Sequence, residues 1–169
     1  MQVRLAAILP NSNANGPGLR KAIFSQGCSH GCPDCFNKHT WSFNGGVMKD
    51  CDEIIQETLE ETYLAGITFT GGDPFDQPEP FAYMAKAFKK ANLNIWAYTG
   101  YTWEQLLKLS ESNVHIKDMI NNIDVIVDGP FVKAKHSDQI EFRGSTNQRI
   151  IDVKKSLKED KVVLDTRFK

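Results

Sequence analysis

The sequence has little of what marks a membrane, secreted or nucleic-acid-binding protein. Its 169 residues carry a formal net charge of −1. They show no basic stripe that would suggest a nucleic-acid partner and no acidic tail that would suggest a disordered segment. No apolar run approaches the roughly 20 residues of a membrane-spanning helix. The first ten residues lack the long apolar core of a signal peptide, so none is expected.

Cysteine is scarce as well, and three of the four cysteines stand close together. Cys28, Cys32 and Cys35 have the spacing C-x3-C-x2-C, whereas Cys51 stands alone. A disulfide framework spreads its cysteines along the chain, so the close spacing of these three indicates a metal centre instead. A thiol-ligated centre needs a reducing compartment, which predicts a cytoplasmic location. Thiolates are soft ligands that suit an iron–sulfur cluster or zinc.

The spacing leaves both kinds of metal site open. A structural zinc site takes four ligands, often as two C-x2-C pairs, and here His30, His39 or Cys51 would have to supply the fourth. A cubane cluster held by three cysteines leaves one iron free to bind a small molecule, and the spacing favours this arrangement. A cluster with every iron ligated by protein would need Cys51. We interpret Cys51, at the start of a predicted helix, as a free and partly buried thiol.

The chain alternates between strand-like and helix-like patterns about four times, which is typical of βαβ units and a parallel sheet. The predicted strands cover residues 3–9, 19–25, 67–70, 94–99 and 123–128, with an edge strand at 150–153. One predicted helix begins after the N-cap Asp50, one begins at Pro78, one begins with the capping residue Thr102, and a short one covers residues 113–121. A closed eight-unit barrel needs at least about 200 residues. The remaining alternatives are an open partial barrel and a small doubly wound sheet.

The length predicts a single domain over residues 1–169, with the cysteine loop at 27–46 and a peripheral C-terminal stretch at 154–169. In both candidate folds, binding sites form at the carboxyl ends of the parallel strands. Four loops whose residues could bind a ligand lie at such strand ends, namely residues 27–46, 71–74, 99–100 and 128–129. The sequence therefore predicts one site built from these loops.

The cysteine spacing after one strand, followed by Gly71-Gly72-Asp73-Pro74 after the next, resembles the radical S-adenosylmethionine superfamily. Three longer stretches narrow the resemblance to the proteins that activate anaerobic ribonucleoside-triphosphate reductases. These stretches are residues 15–20, 35–41 and the late pair 127–131 with 143–148. The resemblance spans residues 13 to 153 and implies an α/β fold with a mostly parallel sheet, an open partial (β/α) barrel.

This resemblance implies an oxidoreductase whose cofactors are a [4Fe-4S] cluster and S-adenosylmethionine. Cys28, Cys32 and Cys35 would ligate the cluster, and the cofactor's amino and carboxylate groups would chelate the open iron. One electron, from a carrier such as a flavodoxin, would cleave the sulfonium bond and give a 5′-deoxyadenosyl radical. That radical would take hydrogen from a glycine Cα in the large subunit of the class III reductase, leaving a glycyl radical.

The resemblance also implies which residues contact S-adenosylmethionine. Gly71 and Gly72 would let the backbone approach its amino group closely, and Asp73 would orient that ammonium. Many members carry an aromatic residue just before the third cysteine, but this position is Asp34 here. The adenine contact is therefore assigned jointly to Asp34, Cys35 and Phe36. Further cofactor contacts are predicted at Thr99, Asp128, Arg143 and Asn147.

Several alternatives stay open at this stage. Arg143 and Asn147 could instead pin a loop by hydrogen bonds or contact the glycine loop of the partner. The chain could activate another glycyl-radical enzyme, such as pyruvate formate-lyase, or be a radical S-adenosylmethionine enzyme with a small-molecule substrate. It could also be a non-catalytic zinc or electron-transfer module.

Overall fold

A seven-stranded sheet organises the computed structural model, which describes residues 1–32, 35 and 38–168. The sheet order is β3-β1-β2-β4-β5-β6-β7. The strands are β1 (Gln2–Ser12), β2 (Arg20–Ser25), β3 (Val47–Asp50), β4 (Gly66–Gly71), β5 (Asn94–Tyr98), β6 (Val125–Asp128) and β7 (Arg149–Asp152). The expected edge strand near residue 150 is present as β7, and β3 was not predicted.

Only the centre of the sheet is parallel. Strands β2, β4, β5 and β6 run in one direction, whereas β3, β1 and β7 pair antiparallel with their neighbours. The expectation of a mostly parallel sheet therefore holds for the four central strands and not for the flanks. A short connection allows antiparallel pairing, and periodicity alone does not distinguish the two directions.

Helices follow most of the strands, and the predicted capping residues Asp50 and Thr102 are confirmed. The helices are α1 (Cys51–Leu59), α2 (Pro78–Lys90), α3 (Trp103–Ser110), α4 (Val114–Asn122) and α5 (Val153–Glu159). The Asp50 carboxylate caps α1, and Thr102 with Gln105 forms a complete capping box at α3. Helix α1 ends at Leu59, and Gly66 begins β4. Residues 154–159 of the peripheral C-terminal stretch belong to α5.

All five helices contribute side chains to one hydrophobic core on the same face of the sheet. The two-residue period sends Ile67 and Phe69 of β4, and Ile95 of β5, into this core. Each fully buried side chain of this kind contributes about 1.5–3 kcal/mol. A doubly wound sheet would need helices on both faces, so the described residues form the open partial barrel instead.

The opposite face of the sheet holds a smaller apolar cluster and a cavity. Trp96 packs edge to face with Phe142 and Phe168, with ring centroids 5.5 Å and 5.4 Å apart. Tyr98 lies on the same face, as the strand period predicts. Among the helices of the described residues, none combines the length and apolarity that crossing a membrane requires.

Candidate metal centre and cofactor cavity

A cavity of about 510 Å³ opens at the carboxyl ends of β2, β4, β5 and β6. The strand period turns Phe24, Thr70 and Tyr98 towards it, because each lies one residue from a core position of its strand. Seven residues predicted from the sequence line it: Cys28, Cys32, Cys35, Gly71, Gly72, Thr99 and Arg143. The size falls within the range of small-molecule and cofactor pockets.

The three bunched cysteines all line this cavity, while Cys51 does not. Cys28 lies three residues after the end of β2, and its N–H donates to the carbonyl oxygen of Trp41 at 3.1 Å. The Cys35 N–H donates to the carbonyl oxygen of Cys32 at 3.2 Å. Burial raises the pKa of the Cys28 thiol to about 11, and a hydrogen bond from the backbone N–H of His30 works in the opposite direction.

Cys51 lies at the first position of α1, fully buried in the core on the helix face of the sheet. Burial raises the pKa of its thiol to about 11. The predicted free, buried thiol is therefore what the structure shows. Its place in the core explains why it does not join the other three cysteines.

The turn after β4 lies against the start of the cysteine loop. The Gly72 N–H donates to the carbonyl oxygen of Ser25 at 2.8 Å, and the Asp73 N–H donates to that of Gly27 at 2.8 Å. A β-carbon on Gly72 would overlap the Gly27 carbonyl oxygen and lie 2.9 Å from the Thr40 carbonyl oxygen. Glycine at 72 is therefore required by contact between two loops of this chain, a reason that the sequence pattern did not supply.

Asp73 does not line the cavity. Its carboxylate is fully buried and accepts hydrogen bonds from Thr99 Oγ1 at 2.8 Å, Gly100 N at 3.0 Å and Phe75 N at 3.0 Å. His30 Nε2 lies 2.6 Å from Asp73 Oδ2. With this many protein donors on the carboxylate, the geometry does not support the predicted direct contact between Asp73 and an ammonium group. The predicted residue Thr99 lines the cavity and also holds Asp73.

The pKa of His30 reflects two opposing effects. Burial of the ring lowers it, but the hydrogen bond and the charge of Asp73 outweigh burial and raise the pKa above its ordinary value. Burial raises the pKa of the Asp73 carboxyl, and its hydrogen bond with His30 works in the opposite direction. Each partner therefore shifts the pKa of the other.

Asp128, which was predicted to contact the cofactor, does not line the cavity. Its carboxylate is 1% exposed and accepts from Trp103 N at 2.8 Å. It also forms an ion pair with Arg149, whose Nη2 lies 2.5 Å from Asp128 Oδ2. Asp128 thus joins β6, β7 and the start of α3, and the geometry does not support the cofactor contact predicted for it.

Arg143 and Asn147 lie in one loop that folds back onto the end of β6. Asn147 Nδ2 donates to the carbonyl oxygen of Pro130 at 2.8 Å, and Arg143 Nη1 donates to that of Gln148 at 3.1 Å. The Asn147 hydrogen bond agrees with the loop-pinning alternative, while Asn147 Oδ1 is buried without a hydrogen-bond partner among the described residues. Arg143 lines the cavity, and its Nε is buried without a hydrogen-bond partner among the described residues. Asp34 and Phe36, predicted to contact adenine, lie outside the described residues.

Sequence reasoning named His30 only as a possible fourth zinc ligand and did not single out Asp76. A ligand atom of Cys28, one of His30 and one of Asp76 lie within 4.8 Å of one another, which is close enough to share a metal ion. The available signal was the position of His30 between two cysteines, together with Asp76 three residues after Asp73. Neither signal could be interpreted without knowing that the two loops meet.

Comparison with known proteins identifies the family. Residues 14–151 match the family model described as a 4Fe-4S single cluster domain. The anaerobic ribonucleoside-triphosphate reductase-activating protein of Escherichia coli K12 is 35% identical over 148 residues, covering 82% of this chain and 92% of that protein. The phage T4 protein of the same name is 33% identical over 149 residues, covering 85% and 90%.

This chain belongs to the anaerobic ribonucleoside-triphosphate reductase-activating protein family. The family assignment agrees with the resemblance found in the sequence, and the matching family model supports an iron–sulfur cluster. The relative from Haemophilus influenzae is 34% identical over 150 residues and covers 83% of the chain. The comparisons do not favour an activase of another glycyl-radical enzyme.

A solved structure confirms the fold of this family member. The crystal structure of QueE from Escherichia coli superimposes with a TM-score of 0.50 at 18% sequence identity. The match covers 60% of this chain and 54% of QueE. At this identity the likeness concerns the fold alone, and it confirms the partial barrel that the resemblance implied.

Proposed function

We propose that this chain activates an anaerobic class III ribonucleoside-triphosphate reductase by forming a glycyl radical on its large subunit. The observation that carries the proposal is the cavity that gathers Cys28, Cys32 and Cys35 beside Gly71 and Gly72. Family membership supports the target, because the curated relatives are named for activating this reductase.

The residues present fit a [4Fe-4S] cluster held by three cysteines. Three sulfur ligands line one cavity, and the remaining cysteine is confined to the core. Cys28, Cys32 and Cys35 would hold the cluster, which leaves one iron without a cysteine. With S-adenosylmethionine bound there, the cluster would supply the one-electron cleavage that yields a hydrogen-abstracting radical.

The chain's own residues would bind and orient the cofactor. Gly71 and Gly72 line the cavity at the end of β4 and offer backbone polar groups beside the cysteines. The unpartnered Arg143 Nε donor suits an anionic or carbonyl group of the cofactor or of the partner's glycine loop. We retain Asp34, Cys35 and Phe36 as the joint adenine contact. We assign Asp73, Asp128 and Asn147 to holding the site's loops.

The partners follow from the chemistry. The glycine-bearing loop of the reductase must reach the cavity, and a small one-electron carrier such as a flavodoxin must reduce the cluster. Four free cysteines are compatible with the reducing cytoplasm, where we place the protein.

The test is anaerobic reconstitution with iron and sulfide, followed by electron paramagnetic resonance of the reduced protein with and without S-adenosylmethionine. We expect a cluster signal that changes when the cofactor is added, 5′-deoxyadenosine as product, and a glycyl radical on the cognate reductase. Cys28→Ala, Cys32→Ala and Cys35→Ala should each abolish these results, and Cys51→Ala is the matched control. A radical formed on pyruvate formate-lyase but not on the reductase would contradict the proposed target.

A mononuclear metal site is the competing arrangement at the same loop, because Cys28, His30 and Asp76 could share one ion. One tightly bound zinc per chain, with no cluster after reconstitution, would support that arrangement and remove the activase. Alanine substitution distinguishes the two sites. Cys35→Ala should abolish the cluster but leave a mononuclear ion at Cys28, His30 and Asp76.

A further inference from the structure

The turn from Cys28 to Gly31 is held mainly by side chains that follow β4. Ser29 N donates to Asp76 Oδ2 at 2.9 Å, and Ser29 Oγ donates to the same oxygen at 3.0 Å. His30 Nε2 lies 2.6 Å from Asp73 Oδ2, within hydrogen-bond distance. Two carboxylates from one short segment therefore fix the two residues that follow the first cysteine.

His30 occupies a closely fitted position. A β-carbon on Gly100 would lie 2.6 Å from the His30 Cδ2 atom, so the ring rests directly on the backbone at the end of β5. The ring meets Tyr101 edge to face, with centroids 4.4 Å apart. The side chain of His30 is 16% exposed. Three neighbours, Asp73, Gly100 and Tyr101, thus define one orientation of the imidazole.

Asp73 in turn is fixed by donors that belong to other elements. Thr99 and Gly100 at the end of β5 and Phe75 after β4 all donate to its carboxylate, which is fully buried. Asp73 directly follows Gly72, whose N–H is bonded to the end of β2. The pair therefore connects the cysteine turn, the glycine turn and the end of β5.

We propose that His30 and Asp73 are positioning residues that align the Cys28 turn with the Gly71–Gly72 turn. This inference rests on the proposed function and deepens it. The pair acts through Cys28, which lies two residues before His30 on the same turn. Its role would be to keep Cys28, which would hold the cluster, aligned with the Gly71–Gly72 turn, which would bind the cofactor. Residues that hold a metal ligand in place by hydrogen bonds orient that ligand. Their loss lowers metal affinity or activity by about 10–100-fold.

The test compares His30→Leu, His30→Gln and Asp73→Asn with the matched control His39→Leu, an exposed histidine near the same loop. Each reconstituted protein is assayed for the rate of cluster loss to an iron chelator. Each is also examined for the change in its electron paramagnetic resonance spectrum when S-adenosylmethionine is added. These readouts are independent of activity. Urea unfolding of the cluster-free proteins reports whether the fold is intact.

We expect His30→Leu and Asp73→Asn to lose the cluster about 10–100-fold faster and to show a weaker cofactor-induced spectral change. His30→Gln keeps a donor towards Asp73. It should therefore recover part of the cluster stability and part of the cofactor-induced spectral change. His39→Leu should match the wild type. If His30→Leu does not fold, the comparison of Asp73→Asn and His30→Gln with the wild type decides the question.

Two outcomes would overturn the inference. Wild-type cluster stability and spectral change in His30→Leu and Asp73→Asn would show that the pair is dispensable. Complete loss of metal in His30→Leu, with metal retained in Cys35→Ala, would make His30 a direct ligand. A wild-type protein that takes up no cluster at all refutes the proposed function instead, so the two failures are distinguishable.

Discussion

Gly72 and Gly27 lie in contact, and the carbonyl oxygen of Gly27 occupies the space that a β-carbon on Gly72 would need. Through this contact the turn after β4 supports the first residue of the cysteine loop. Because the obstacle is backbone rather than a flexible side chain, Gly72→Ala must displace one of the two loops.

We expect Gly72→Ala to lower the free energy of unfolding by about 1–3 kcal/mol, as overpacking does, and to reduce the cluster content after reconstitution. Urea unfolding and iron analysis measure the two effects. The control is Gly31→Ala, where the new β-carbon meets no heavy atom within 4 Å and only a positive φ of 59° opposes it. Equal cluster content in Gly72→Ala and the wild type would contradict the importance of this contact.

Arg20 closes the end of the barrel opposite the cavity. Its fully buried guanidinium donates to Thr68 Oγ1 at 2.9 Å and to the carbonyl oxygens of Ile67 at 2.9 Å and Pro17 at 3.1 Å. It also donates to Asn94 Oδ1 at 2.9 Å. Burial lowers its pKa to about 10, so the charge persists at neutral pH.

Arg20→Met should destabilise the protein by on the order of 3 kcal/mol, because several buried acceptors lose their donor. Arg20→Lys keeps the charge with fewer donors and should lie between Arg20→Met and the wild type. Urea unfolding of the cluster-free protein provides the values. If Arg20→Met and Arg20→Lys lower the free energy of unfolding by the same amount, the charge and its hydrogen bonds are not what stabilises this end of the barrel.

Arg149 joins a buried carboxylate to an exposed one. It pairs with Asp128, which is 1% exposed, and with Glu104 at 2.8 Å, whose side chain is 62% exposed. The Arg149 hydrogen bond lowers the pKa of Glu104. The stabilisation by Glu104 is thus fully present above the unfolded-state pKa, and it is lost as the pH falls through the lowered, folded-state pKa.

Glu104→Gln should cost less than about 1 kcal/mol at pH 7, since the pair is exposed, and its effect should vanish in acid below the usual range of a glutamate. Asp128→Asn should cost about 1–3 kcal/mol, because Trp103 N and Arg149 lose a buried charged acceptor. Unfolding curves measured from pH 7 down to pH 3 test both expectations. If the loss of unfolding free energy caused by Glu104→Gln grew as the pH fell, the predicted direction of the pH dependence would be wrong.

Cys51 should be chemically silent in the folded protein. Its raised pKa and its full burial predict that iodoacetamide reaches it only after unfolding in urea. Cys51→Ala should leave the cluster content unchanged and cost about 1 kcal/mol of stability from the lost volume. Mass spectrometry of the alkylated protein and iron analysis measure these results. Loss of iron in Cys51→Ala would indicate a four-cysteine cluster.

Several features were predictable from sequence because they depend on local geometry. The capping residues Asp50, Thr102 and Asn113 begin the helices where a side-chain oxygen can satisfy free N–H groups. The shared face of Trp96 and Tyr98 follows from the strand period. The bunched cysteines identified the metal-binding loop because ligand spacing on a short loop is itself a local property.

Other features required contacts between residues distant in sequence. The antiparallel flanks, the burial of Asp73 and the separation of Asp128 from the cavity depend on how loops meet, which no periodicity encodes. Gly72 was assigned to the site from its motif, but the reason for glycine there came only from the Gly27 carbonyl oxygen opposite.

The sequence by itself determined the chemistry available to this protein, since three closely spaced thiols and a Gly-Gly turn after a strand are properties of the chain. The tertiary structure alone decided which side chains face the cavity and which hold its loops together. His30 and Asp73 are 43 residues apart, and their 2.6 Å hydrogen bond exists because β2, β4 and β5 are neighbouring parallel strands whose carboxyl ends meet at one edge.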